Sequence, residues 1–176
     1  MQTTTRLLFI LTVMIGTLTV RAQNQNISLL AGKVTLSAPK QLQPISDEHW
    51  QLKYPGKAKP MLALSDGDAE INLIAMATQQ PAQDSQLVEF IDYQFQQVKT
   101  KRPESELIDK GVTTVNGKKM AYMKFISSAV DQKVFNYFFF ILVDGKIVMF
   151  TFNCTQALQK TWEPKAAQIV QSLKIK

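Results

Sequence analysis

The chain has 176 residues, a formal net charge of +6 and a hydrophobic fraction of 45%. That length suits one domain with a single core, and a charge so small and scattered does not make a nucleic-acid-binding face. One cysteine, Cys154, excludes an internal disulfide framework, and one histidine, His49, leaves little for zinc sites or the usual catalytic triads.

The first 22 residues read as a signal peptide. Arg6 supplies the leading positive charge, and Leu7 to Leu18 run almost without a polar break. Such a run is shorter than the roughly 20 residues that span a bilayer. Val20-Arg21-Ala22 places a small residue at the end of a peptidase-type site, so cleavage is expected after Ala22, with an uncleaved anchor as the alternative. No cysteine stands near this point to carry a lipid anchor, and the location implied is periplasmic or secreted. Loss of Arg6 and Arg21 takes the charge from +6 to +4.

Residues 23–31 read as a flexible leader, and a single globular domain is expected over 32–176. Val34, Leu36 and Ala38 alternate with polar residues, which predicts a strand closed by Pro39. Residues 41–48 read as loop. Trp50, Leu52 and Tyr54 alternate again, a second strand stopped by Pro55. Residues 61–65 and 69–77 predict two strands joined by Asp66-Gly67-Asp68, a hairpin signal. From Asp84 or Ser85, Leu87, Phe90, Ile91, Phe95 and Val98 recur at helical spacing, predicting about four turns ended by Pro103.

Four strands follow, over 107–115, 120–130, 133–143 and 147–154, turned at Asn116-Gly117, Asp131-Gln132 and Asp144-Gly145. Short turns between consecutive strands predict an antiparallel meander. The third is apolar on both sides. Phe135, Tyr137, Phe139, Ile141 and Val143 point one way, and Val134, Phe138, Phe140 and Leu142 the other, so both faces of its sheet are expected to be covered. A helical stretch from Thr155 leads to Pro164, read as the first turn of a last helix whose stripe is Ala166, Ile169, Val170 and Leu173.

The chemical candidates are few. Cys154 falls in phase with Val148, Phe150 and Phe152 and reads as a buried small hydrophobe. A nucleophile would want a base, and His49 is distant in sequence. Asp66 to Glu70 carries closely spaced carboxylates, but an EF-hand loop counted from Asp66 would need Gly and Glu where Ile71 and Ala77 stand. Glu70 and Glu89 are available as members of a carboxylate pair, yet nothing in their spacing pairs them. The lysines at 57 and 59, 99 to Arg102, and 118–119 read as solvated ends. No catalytic, cofactor-binding or metal residue is assigned, and no cofactor is expected.

The order of elements resembles the PsbP-like fold, which includes PsbP, DcrB-like and Mog-type proteins. The phrases that carry the resemblance are Val34-Thr35-Leu36-Ser37-Ala38-Pro39, Ala69-Glu70-Ile71-Asn72-Leu73 and Ile169-Val170-Gln171-Ser172-Leu173-Lys174-Ile175, and it spans residues 32 to 176. It implies an α+β fold in which an antiparallel sheet is covered by helices on both faces. It carries no shared active site, and its members act mostly in docking or accessory roles. Function then has three readings: a non-catalytic periplasmic accessory protein that binds another envelope protein, a periplasmic immunity protein that neutralises a secreted antibacterial toxin, or a carrier of a small apolar ligand lined by the aromatic strands. None involves nucleic acid or a membrane span in the processed chain.

Overall fold

The computed structural model describes residues 23–129 and 131–176; the segment read as a signal peptide, residues 1–22, lies outside them. In chain order the strands are β1 (Asn24–Leu29), β2 (Val34–Pro39), β3 (Gln43–Pro44), β4 (Leu62–Ser65), β5 (Ile71–Pro81), β6 (Glu106–Val115), β7 (Lys118–Ser128), β8 (Lys133–Val143), β9 (Lys146–Thr155) and β10 (Lys174–Ile175). The helices are α1 (Asp47–Lys53), α2 (Leu87–Lys101) and α3 (Gln159–Gln171). A seven-stranded antiparallel sheet runs β3-β4-β5-β9-β8-β7-β6, and β1-β2-β10 form a small second sheet.

The meander forms as its turns dictate. Asn116 and Gly117 have φ of 48° and 79°, and Asp144 and Gly145 have 51° and 70°. Two left-handed residues in a row are the hairpin turn whose twist matches that of its strands, and Asn-Gly and Asp-Gly tolerate it best. β8 is covered on both sides, as its composition predicts. Phe135, Tyr137, Phe139, Ile141 and Val143 join a cluster with β2 and with Trp162, Ala166, Ile169 and Val170 of α3. Phe138, Phe140 and Leu142 face the other cluster, with Leu87, Phe90 and Ile91 of α2. The fold is therefore α+β, with helices on both faces of the large sheet, and the small sheet adds to the α3 layer.

Several segments depart from the sequence reading. Residues 24–29 are a strand rather than a flexible leader: β1 pairs with β2 from Asn24↔Pro39 to Leu29↔Val34. The polar run conceals this because β1 lies at the edge of its sheet, where Ile27 and Leu29 are the only apolar side chains on its inner face. Residues 47–53 are helical, not a strand. Ser46 caps the helix by accepting from the His49 amide at 3.1 Å, and Asp47 and Glu48 occupy its first turn, where carboxylates favour the helix dipole. The Asp66-Gly67 turn is wider than the two-residue form, with Asp66 to Glu70 between β4 and β5 and Ala69 taking the left-handed φ of 57°. α2 is preceded by a 3-10 turn over Asp84–Gln86, and the reciprocal cap comes from Gln83 and Gln86. Pro164 lies inside α3, which begins at Gln159 behind a 3-10 turn over Gln156–Leu158.

A polar row crosses the middle of the large sheet. Asn72 stands opposite Asn153, and Asn153 opposite Asn136. Asn72 Nδ2 donates to Asn153 Oδ1 at 3.0 Å, while Asn136 Nδ2 donates to Ser127 Oγ at 3.0 Å and to the Val134 carbonyl at 3.0 Å. On this face lie both the α2 cluster and a small one in which Trp50 of α1 packs on Ala63 and Ile74.

Candidate functional site, a groove beside the first helix

The groove begins with how α1 is held. Seven residues make too short a helix to stand alone, so its position depends on anchors. Trp50 is buried against Ala63 and Ile74, its ring 4.3 Å from that of Tyr54. Its indole N–H donates to the Lys57 carbonyl at 3.0 Å, which also accepts from Gln51 Nε2 at 3.1 Å. Lys59 pairs with Asp47. Trp50 and Tyr54 are four residues apart and share the inner face. Leu52, two residues from Trp50, is turned outward by about 200° and stands 74% exposed, the most exposed large hydrophobic side chain among the described residues.

The opposite wall is the loop after β4. Asp66 folds it: its amide donates to the Ile71 carbonyl at 3.2 Å, and its Oδ1 accepts from the Ile71 amide at 3.0 Å. Ser65 Oγ donates to the same carbonyl at 3.0 Å. The third side comes from Gln43, Pro44 and Ile45, the last bonded through its amide to the Ala63 carbonyl at 2.9 Å. Between these walls lies an open, mostly apolar groove of about 670 Å³, bordered by His49, Leu52, Asp66 and Asp68.

The structure does not bring the two reactive candidates of the sequence together. Cys154 is fully buried in the α3-side core, and burial first, then the nearby Glu163 charge, pushes its thiol up to about 12, the reverse of what a nucleophile needs. His49 is exposed on α1, on the other side of the sheet. Glu70 sits in the β4–β5 loop and Glu89 on α2. Among the described residues no three His, Cys, Asp or Glu side chains are grouped so as to hold a metal ion.

A second polar cluster lies where α3 meets β7. Lys124 Nζ is 2.8 Å from Glu163 Oε1 and 4.9 Å from the Tyr137 ring centre, and Tyr122 donates to Asp109 at 3.0 Å. Burial alone would raise the Glu163 carboxyl, but hydrogen bonds from Lys124 and Gln159, with the Lys124 charge, hold it below its usual value. These groups satisfy one another.

The groove was not visible in the strand reading of 50–54, which places Leu52 beside Trp50. The signals that would have found it are Ser46 followed by two acids and the four-residue spacing of Trp50 and Tyr54. One wall of the groove, 65–69, falls within the part of the chain that matches a known family: the DcrB family model covers residues 60–172. The chain belongs to the DcrB family. The other wall, α1, precedes the matched span. No curated protein matches the sequence.

Solved structures place this DcrB-family protein in the PsbP-like fold. Cyanobacterial PsbP from Synechocystis superposes with a TM-score of 0.67 at 13% identity, over 88% of this chain and 94% of that one. LpqN, involved in cell envelope biogenesis of Mycobacterium tuberculosis, gives 0.58 at 12% identity, over 87% and 90%. The Ran-binding protein Mog1p of Saccharomyces cerevisiae gives 0.54 at 9% identity, over 88% and 96%. These similarities establish a shared fold.

Proposed function

We propose that this DcrB-family protein is a non-catalytic accessory protein of the cell envelope, delivered there by residues 1–22 as a cleaved signal peptide, and that it works by binding another envelope protein. The observation that carries the reading is the groove beside α1. A leucine held outward at 74% exposure by a rigidly anchored helix, at the border of a mostly apolar depression, has the form of a docking feature rather than of a reaction centre. Fold relatives with a binding role or an envelope role, Mog1p and LpqN, support it as analogy alone. The carrier reading is less well supported, because Phe135, Phe139 and Phe140 of β8 are packed into the two cores and none of them borders the groove.

The test is a photo-crosslinking residue at position 52 of the full chain in living cells, with one at exposed Thr114 as control. A discrete adduct with an envelope protein from position 52 is expected, and the recovered chain should begin at Gln23. No adduct at 52, or the same adducts from both positions, would overturn the binding role; an intact Met1 chain in the membrane fraction would overturn the delivery.

A further inference from the structure

The charge around the groove runs against that of the molecule. Lysine and arginine outnumber aspartate and glutamate by 20 to 14, yet five of those 14 acids fall in the two short segments 47–48 and 66–70. Both segments belong to the groove walls or adjoin them. Asp47 is neutralised by Lys59. None of the other ion pairs among the described residues includes Glu48, Asp66, Asp68 or Glu70. The nearby Lys57 is engaged with the Tyr54 ring, its Nζ 5.7 Å from the ring centre.

An apolar groove with uncompensated carboxylates at its rim selects its occupant. An anionic partner would bring like charges together on a partly desolvated surface, which costs affinity and slows encounter. A purely polar one would leave Leu52, Pro44 and Ile45 without a counterpart. The groove also runs beside β3, the short edge strand of the large sheet, where an extended chain can enter and leave without passing through the fold.

We propose, resting on the accessory reading above, that the groove takes an extended polypeptide segment of the partner. One apolar side chain seats beside Leu52 and Ile45, and an adjacent lysine or arginine lies against Asp66 and Asp68. Asp68, exposed and unpaired, supplies charge at the mouth. Asp66 supplies it while one of its oxygens holds the loop.

The test uses synthetic peptides about a dozen residues long with a central leucine flanked by lysines, by glutamates or by serines, and a lysine-flanked peptide with serine in place of the leucine. Binding is read from backbone amide shifts of the protein in solution. The leucine–lysine peptide is expected to move the amides of Gln43 and Ile45 and of 49–52 and 66–69, and to weaken as salt rises from about 50 to 500 mM. Asp68→Lys should weaken it roughly tenfold by replacing an attraction with a repulsion, and Leu52→Ser by a similar factor. Both residues are exposed, so the melting temperature serves as a check that neither change disturbs the fold. Equal binding of the glutamate peptide, shifts outside the groove, or unchanged affinity in both variants would overturn the proposal. So would dodecylamine moving the same amides as strongly as the peptide, which would make the occupant a small cationic amphiphile. A discrete envelope adduct at position 52 without any preference for basic peptides would sink this inference and leave the accessory role standing.

Discussion

Phe138 and Phe139 are neighbours on β8 with different surroundings. Phe139 is fully buried and stacks on Phe150, ring centres 4.8 Å apart and planes within 4°. Phe138 is only partly buried, on the α2 side, where it meets Phe125 edge-on at 5.1 Å. The two faces of β8 are thus both covered, but unequally. Phe139→Ala is expected to cost about 3–5 kcal/mol, and Phe138→Ala about 1–3 kcal/mol, since less area returns to water. Urea unfolding of the two variants measures this; equal losses would contradict the difference in cover. Cys154 shows burial in another way. The folded thiol is pushed up to about 12, while an unfolded cysteine titrates near 8.5. A proton held more tightly by the folded state stabilises it fully below about pH 8.5, and that contribution is lost as pH climbs towards the folded value. Cys154→Ala should therefore cost about 1 kcal/mol near neutrality through a small cavity, and the gap in melting temperature between the two proteins should narrow above about pH 9. A gap constant from about pH 7 to pH 10 would show that the thiol is not so shielded.

At the scale of elements, β1 carries the sharpest consequence. Six residues of β1 pair along the whole of β2, and Leu29 is buried in the main core. Gln25 ties it further, its Nε2 donating to the Leu42 carbonyl at 2.5 Å. A chain starting at residue 32 loses this strand and exposes one edge of β2, so its melting temperature should fall well below that of the chain starting at residue 23; equal melting temperatures would return 23–31 to the role of a leader. The elements that sequence reveals and conceals divide along a physical line. β7, β8, β9 and α2 were legible because many side chains repeat in one period, and the Asn-Gly and Asp-Gly turns fix where each strand reverses. β1 was not, because an edge strand with a solvated face needs few apolar residues. α1 was misread because Trp50, Leu52 and Tyr54 fit a period of two as well as any seven-residue helix fits 3.6, and only the Ser46 cap breaks the tie. The candidate site is hidden with α1, since a period of two puts Leu52 on the same face as Trp50.

The large sheet, around which the whole molecule is built, is two half-sheets brought together by one strand. β3, β4 and β5 come from the first half of the chain, and β6, β7 and β8 form the meander. β9 lies between β5 and β8 and bonds to both. Its pairing with β8 is local, closed by a two-residue turn. Its pairing with β5, from Ile71↔Cys154 to Ala77↔Val148, joins residues that are roughly 70 to 80 positions apart, and it includes the Asn72–Asn153 bond. The order of folding follows from this. The meander can assemble from neighbouring segments, but the seam between the halves waits for β9, and the entropy of closing that long loop is spent before its contacts repay it. A chain threaded across a membrane N-terminus first would present β4 and β5, with Leu62, Leu64, Leu73 and Ile74, to its surroundings until residue 154 arrives. Refolding from denaturant, followed by tryptophan fluorescence, is expected to be slower than for a helical bundle of equal size, in the range of roughly milliseconds to seconds. Once folded, the β5–β9 seam lies under one core that takes Leu64, Ile71 and Leu73 from one half and Phe139, Phe150 and Phe152 from the other, so neither half is expected to stand without its counterpart.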